Sequence, residues 1–189
     1  MVKNKIRKSL LEQGQLLSRN FIKDTNQNIQ NIVLNEIDVK SSKNTLLYFP
    51  YKNEISVELI IEELWKYSNN IYMPKIVSDN ELKFNLLKRL EVLEKNKYGI
   101  KEINSNDYLD PMNFDTMFIP FVGVDKAGAR LGYGGGYFDK TLENINSSLK
   151  KPLIVGIGYD FQIIDDFFGE DHDIKYDIVI TESRVLYFS

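Results

Sequence analysis

Four short apolar runs bounded by proline constrain this chain more than any other feature. They are Thr45-Leu46-Leu47-Tyr48-Phe49 before Pro50, Ile71-Tyr72-Met73 before Pro74, Thr116-Met117-Phe118-Ile119 before Pro120, and Leu153-Ile154-Val155-Gly156-Ile157 after Pro152. Runs this short, rich in β-branched and aromatic residues, read as buried strands. Helical patterns lie between them. Ile6, Leu10, Leu11, Leu16 and Leu17 recur at helical spacing, and Ile22, Ile29, Ile32, Val33 and Ile37 mark a second helix from about Phe21 to Ile37. Ser56 reads as the N-cap of a third, whose apolar side is Leu59, Ile60, Leu64 and Trp65, and Tyr137 to Ile145 reads as a fourth. Ile178-Val179-Ile180 and Val185-Leu186-Tyr187-Phe188 add two strands, whereas residues 77–110 show only a mixed polar pattern. Strands alternating with helices predict an α/β layered fold with a central, largely parallel sheet.

The length of 189 residues predicts one domain over residues 1–189. Lys plus Arg number 24 and Asp plus Glu 27, so the net charge of −3 argues against nucleic acid as a general partner. Cysteine is absent and histidine occurs once, which removes disulfides, thiolate catalysis, Cys-based zinc sites and multi-His metal sites. No apolar run reaches the ~20 residues of a membrane span, and the N-terminal pattern is amphipathic. The expectation is a soluble cytoplasmic protein with no membrane partner, either a monomer or a small homo-oligomer. What remains is chemistry by carboxylates, Lys, Arg, backbone amides and a divalent cation.

The stretch from Val124 to Lys140 carries that chemistry. Gly123, Gly128, Gly132, Gly134, Gly135 and Gly136 crowd around Arg130 and Asp139. Glycines let backbone amides approach a phosphate, and a following helix start adds oriented N–H groups. Arg130 offers a planar fork for a phosphate, and Asp139 either favours the helix start or holds a cation. Known phosphate motifs do not fit. No Gly-Lys-Ser or Gly-Lys-Thr closes a P-loop, and Tyr137 occupies the sixth place of a dinucleotide fingerprint begun at Gly132.

Arg130-Leu131-Gly132-Tyr133-Gly134-Gly135-Gly136-Tyr137-Phe138-Asp139, after a Pro-terminated strand and Asp125-x-x-Gly128, resembles the signature of the 5-formyltetrahydrofolate cyclo-ligase family. Weaker matches are Lys3-x-x-x-Arg7, Tyr48 to Ile55, Tyr72-Met73-Pro74-Lys75 and Asp173 to Glu182. The resemblance implies a three-layer α/β/α sandwich. It implies that ATP phosphorylates the formyl oxygen of 5-formyltetrahydrofolate in the presence of Mg²⁺. Attack by N10 would then give 5,10-methenyltetrahydrofolate, ADP and phosphate. It further implies that Lys3, Arg7, Arg130, Leu131, Gly132, Tyr133, Gly134, Gly135, Gly136, Tyr137 and Phe138 contact ATP. Phe49 and Glu54, with Tyr133 and Phe138, would contact the folate, and Asp139 and Asp173 would hold Mg²⁺ together.

Departures from the family pattern are Phe121 and Val124 in place of Gly and Phe, Phe138 in place of Tyr, and Ile103 in place of Pro. His172 reads as a structural residue or one behind the ligands, since no Gly-x-Ser-x-Gly elbow supports a nucleophilic triad, and Asp177 is the next metal candidate after Asp173, though such an acid more often flanks a strand. Two rival readings are a sugar-phosphate isomerase or CoA-transferase-like catalyst that needs no ATP, and a non-catalytic folate or nucleotide binder.

Overall fold

The computed structural model describes residues 2–145 and 150–188. Helices α1 (Val2–Gln15) and α2 (Arg19–Glu36) precede β1 (Asn44–Leu46), α3 (Glu58–Lys66) and β2 (Asn70–Ser78). An antiparallel stretch follows: β3 (Glu81–Leu86), β4 (Leu93–Lys95), β5 (Lys101–Ile103) and β6 (Tyr108–Leu109). Then come β7 (Thr116–Phe118), β8 (Gly123–Val124), β9 (Arg130–Leu131), α4 (Tyr137–Thr141), β10 (Leu153–Ile157), β11 (Ile178–Ile180) and β12 (Val185–Tyr187).

An eight-stranded sheet runs in the order β12-β11-β10-β7-β1-β2-β3-β6. Its five central strands are parallel, with Leu46 opposite Tyr72 and Met117, Phe118 opposite Val155, and Gly156 opposite Val179. The antiparallel strands β12, β3 and β6 close the two sides. Strand residues alternate between two cores, as the period of two demands. Leu47, Ile71, Met73, Phe118, Val155 and Ile180 meet Ile29, Val33 and Ile37 near α2 and Ile60 and Leu64 of α3. Leu46, Tyr72, Met117, Ile119, Ile154 and Val179 face the other way, onto Val124, Leu142, Ile145, Ile174 and Tyr176. Helices thus cover both faces of a mostly parallel sheet, as expected. The second cover is thinner, made of short α4, the β8–β9 hairpin and irregular chain. Among the described residues no helix is long and apolar enough to cross a membrane.

Several boundaries differ from expectation for identifiable reasons. Helix α1 stops at Gln15, and Leu16 is 85% exposed instead of joining the apolar face. Helix α2 starts earlier, at Arg19, because Ser18 caps it by accepting from Phe21 N at 3.2 Å. Val57 takes the cap position of α3, but Ser56 Oγ accepts from Glu58 N at 3.4 Å. Helix α2 adds to this: Gln30 Oε1 accepts from Leu59 N at 2.9 Å, and Asn26 Oδ1 accepts from Ser56 N.

Strand β2 continues past Pro74 to Ser78. Its pairing with β1 ends at Tyr72, so the missing N–H of Pro74 removes no bond on that side. Strand β1 is shorter than its apolar run: Leu47 N still donates to Tyr72 O at 2.9 Å, and residues 48–50 then leave the ladder toward the site. Helix α4 ends at Thr141, well before Ile145. The departures Phe121, Val124 and Ile103 are all buried core residues, Phe121 packing edge-on to Tyr176 at 5.6 Å between ring centroids.

Candidate active site at the carboxyl ends of the sheet

The chain winds from β1 outward through α3 to β2, and from β7 the opposite way to β10 and β11. The reversal lies between β1 and β7. In open α/β sheets ligands bind beyond the carboxyl ends of strands at such a point. Two cavities occupy this place.

The first, about 430 Å³, is lined by Tyr48, Phe49 and Glu54 after β1, Pro74 and Ile76 of β2, Pro120 after β7, and the glycine loop with Arg130 and Asp139. The β4–β5 hairpin closes one side: Tyr98 at its tip meets Tyr137, hydroxyl to hydroxyl at 3.1 Å. The second, about 470 Å³, is lined by Leu10 and Gly14 of α1, Phe121 and Val122 after β7, and Gly158, Tyr159, Phe161 and Gln162 after β10. Leu11, Lys52, Glu54 and Tyr133 line both cavities.

Glu54 sits in a tight turn. Its N–H donates to Tyr51 O at 3.1 Å, and its Oε2 accepts from Tyr51 N at 2.8 Å. Burial raises its pKa to about 7, outweighing the opposing effects of the Tyr51 N–H and the Arg130 charge. Phe49 lines the same cavity half-buried, so both residues expected at the folate meet here. Tyr133 packs edge-on to Tyr51 at 5.2 Å between centroids, and burial pushes its hydroxyl pKa up, so it stays a neutral donor.

Among the described residues, the backbone N–H groups of Gly132 to Gly136 donate to no protein oxygen. Arg7 Nε donates to Gly132 O at 2.7 Å and brings α1 against the loop. Gly136, at φ 66°, turns the chain into α4. Leu131 is buried in the hairpin, its carbonyl accepting from Val122 N at 2.7 Å, so it supports the loop without lining either cavity.

Arg130 does not present the open fork expected for a phosphate. It is only 6% exposed. Its Nε donates to Pro120 O at 2.8 Å, its Nη1 contacts both Asp139 oxygens at 3.0 and 3.1 Å, and the guanidinium lies 5.2 Å over the Phe138 ring. Burial works against its charge, but the Asp139 carboxylate more than compensates and holds its pKa above the usual value.

Asp139 and Asp173 each have a basic partner. Asp139 lines the first cavity and pairs with Arg130. Asp173 is buried elsewhere, accepting from Lys3 Nζ at 2.6 Å and Glu170 N at 2.7 Å. Burial alone would lower the Lys3 pKa; the contacts with Asp173 and Glu170 raise it instead. Among the described residues no group of three or more His, Cys, Asp and Glu is arranged to hold a metal. Each of the two carboxylates is paired with a basic side chain, Asp139 with Arg130 and Asp173 with Lys3. His172 is exposed, 3.2 Å from Glu170. Asp177 accepts from Ile154 N at 2.8 Å and Lys151 Nζ at 2.6 Å, as befits a strand-flanking acid.

Three residues take places here that the sequence did not assign to them: Asp125, Lys52 and Tyr98. Asp125 is buried and accepts from the N–H groups of Ala127, Ala129, Phe168 and Gly169, at 2.8 to 3.1 Å. Burial would raise its pKa, but the N–H groups together lower it, and the carboxylate pins the hairpin turn to the 168–169 segment. Lys52 had a signal, since it lies in the turn after a Pro-terminated central strand. Tyr98 had a weaker one, the turn residues Asn96 and Gly99 around it.

The model of the 5-formyltetrahydrofolate cyclo-ligase family matches residues 1–182. A 5-formyltetrahydrofolate cyclo-ligase of Haemophilus influenzae is 33% identical over 159 residues, covering 82% of this chain and 84% of the relative. One of Mycoplasma pneumoniae is 30% identical over 184 residues, covering 96% and 99%. The solution structure of a 5,10-methenyltetrahydrofolate synthetase of Aquifex aeolicus superposes with a TM-score of 0.84 at 27% identity, covering 99% of this chain and 93% of the other. The solved synthetase of Mycoplasma pneumoniae gives 0.77 at 29% identity, covering 96% and 99%. With the family pattern matched along nearly the whole chain and its fold reproduced around the same loop, the chain belongs to the 5-formyltetrahydrofolate cyclo-ligase family.

Proposed function

We propose that this protein converts 5-formyltetrahydrofolate and ATP to 5,10-methenyltetrahydrofolate, ADP and phosphate. The observation that carries the reading is the run of undonated amides from Gly132 to Gly136 along a cavity whose far wall holds Glu54 and Phe49. The amides suit phosphate oxygens, the carboxylate suits the N–H groups of a pterin, and Phe49 suits its flat face. Arg7 adds positive charge beside the loop, while Lys3, on the same face of α1, is paired with Asp173 and Glu170.

The chemistry answers a leaving-group problem. Hydroxide does not leave a formyl amide readily. Transfer of the ATP γ-phosphoryl to the formyl oxygen breaks the P–O bond to ADP and forms a new one. N10 then attacks the formyl carbon and loses its proton, and the C–O bond breaks as phosphate departs. Positioning and charge neutralisation supply the catalysis, as in other phosphoryl transfers. Mg²⁺ accompanying ATP would supply charge neutralisation on the phosphates. Asp139, on the cavity wall, is better placed than Asp173 to add a protein oxygen. Release of ADP and phosphate, followed with and without 5-formyltetrahydrofolate, tests the reading. Phosphate should appear only with the folate and in step with methenyl product. ATP turnover indifferent to the folate, or conversion without ATP, contradicts it.

A further inference from the structure

The cavity wall contains a cation to which the family pattern gives no role. Lys52 lines both cavities from the turn after β1, above the reversal of strand order. Its backbone is left-handed at φ 54°, a conformation unfavourable for a residue with a side chain. The turn is held on each side: Glu54 bonds Tyr51 twice, and Asn53 Nδ2 donates to Gly14 O at 2.6 Å. The Lys52 ammonium lies 5.1 Å from the Tyr51 ring centroid and 5.5 Å from that of Tyr133. Among the described residues it has no carboxylate within 4 Å.

On the reading above, the phosphate-holding amides and the pterin-holding Glu54 and Phe49 line the first cavity together, and part of its wall is shared with the second. The shared wall consists of Leu11, Lys52, Glu54 and Tyr133, and Lys52 is its one cation. Arg130, the other cation on the first cavity, is engaged by Asp139 and Pro120 O. We infer that Lys52 is a catalytic residue whose ammonium contacts the oxygens of the phosphoryl group as it passes from ADP to the formyl oxygen. In that step the bond from γ-phosphorus to the bridging oxygen breaks, its electron pair stays on ADP, and the formyl oxygen forms the new bond. Lys52 keeps its proton and neutralises the charge on the transferring group. With its ammonium over two tyrosine rings, the side chain is held at this wall, beside the place where the group is transferred.

This inference rests on the ATP-dependent reading above. The test uses Lys52→Met, which keeps the stem and removes the charge, with Lys52→Arg and Lys52→Ala beside it. Lys52→Met should lower kcat by about 10- to 100-fold, while the Kd values for 5-formyltetrahydrofolate and for ATP change less than about 3-fold. Lys52→Arg should recover most of the rate, and added ethylammonium should partly restore Lys52→Ala. Unchanged kcat in Lys52→Met overturns the assignment. So does a defect confined to folate KM that vanishes with a substrate lacking the glutamate tail, since that places Lys52 on the tail carboxylates. Wild-type protein without ATP-dependent conversion would refute the underlying reading, a result distinct from either.

Discussion

Glu54 is held between two states by its surroundings. Burial favours the neutral acid and raises the pKa to about 7, yet pterin N–H groups bind best to the carboxylate. Folate affinity should therefore rise as pH increases through 7, with proton release on binding below it; calorimetry in buffers of different ionisation enthalpy reads this directly. Stability runs the other way. The folded pKa lies above the unfolded one, so the contribution is full below about pH 4.5 and lost as pH rises through about 7. Glu54→Gln should flatten that loss, of order 1–3 kcal/mol, in denaturation measured from pH 5 to 8. The same change should weaken folate about 10- to 100-fold and leave ATP affinity nearly unchanged. Equal shifts for both substrates would give Glu54 a structural role. Asp139 makes a different prediction. Asp139→Asn leaves the buried Arg130 with half a partner and should cost roughly 1–3 kcal/mol in urea unfolding, less than a fully buried pair because Asp139 keeps some solvent. Unchanged stability with a raised Mg²⁺ requirement would instead mark it as a metal ligand alone.

Among the elements, the β8–β9 hairpin and the glycine loop use their glycines differently. Gly128, at φ 80°, has no room for a side chain: a Cβ would lie 2.6 to 3.0 Å from the Phe188 ring. Gly136, at φ 66°, has nothing within 4 Å. Gly128→Ala should destabilise by about 2–4 kcal/mol and Gly136→Ala by only about 1, compared by urea denaturation. Equal costs would mean the ring moves aside freely. The parallel centre of the sheet was legible in sequence because Leu46, Met117, Ile154 and Val179 fall in unbroken apolar runs. The β3–β6 addition was not. Its strands alternate Glu81, Leu82, Lys83 and Phe84 around a half-exposed surface, and Pro74 read as a stop. The glycine loop was legible from composition, but the pairing of Arg130 with Asp139 was not. Nine residues of sequence separation do not tell whether a fork faces a phosphate or a neighbouring carboxylate. Likewise, the α3 cap was assigned to Ser56 alone because nothing local points to Gln30 of another helix.

Across the whole molecule, two cores share one sheet, and α1 is tied to the rest by Lys3, Arg7 and the Gly14 carbonyl. Such an arrangement predicts one cooperative unfolding transition, as expected of one domain over residues 1–189; two separated transitions by calorimetry would contradict it. Nucleotide at about 100 times its Kd should add roughly 2.7 kcal/mol and raise Tm by about 5–10 °C. The central claim is that this site carries out an ATP-driven cyclisation, and ultraviolet absorbance tests it most directly. Cyclisation extends conjugation from N5 through the former formyl carbon to N10. Purified protein given 5-formyltetrahydrofolate, Mg²⁺ and ATP should develop a new near-ultraviolet band, and omitting either ATP or Mg²⁺ should abolish it. No absorbance change at saturating ATP would contradict the account.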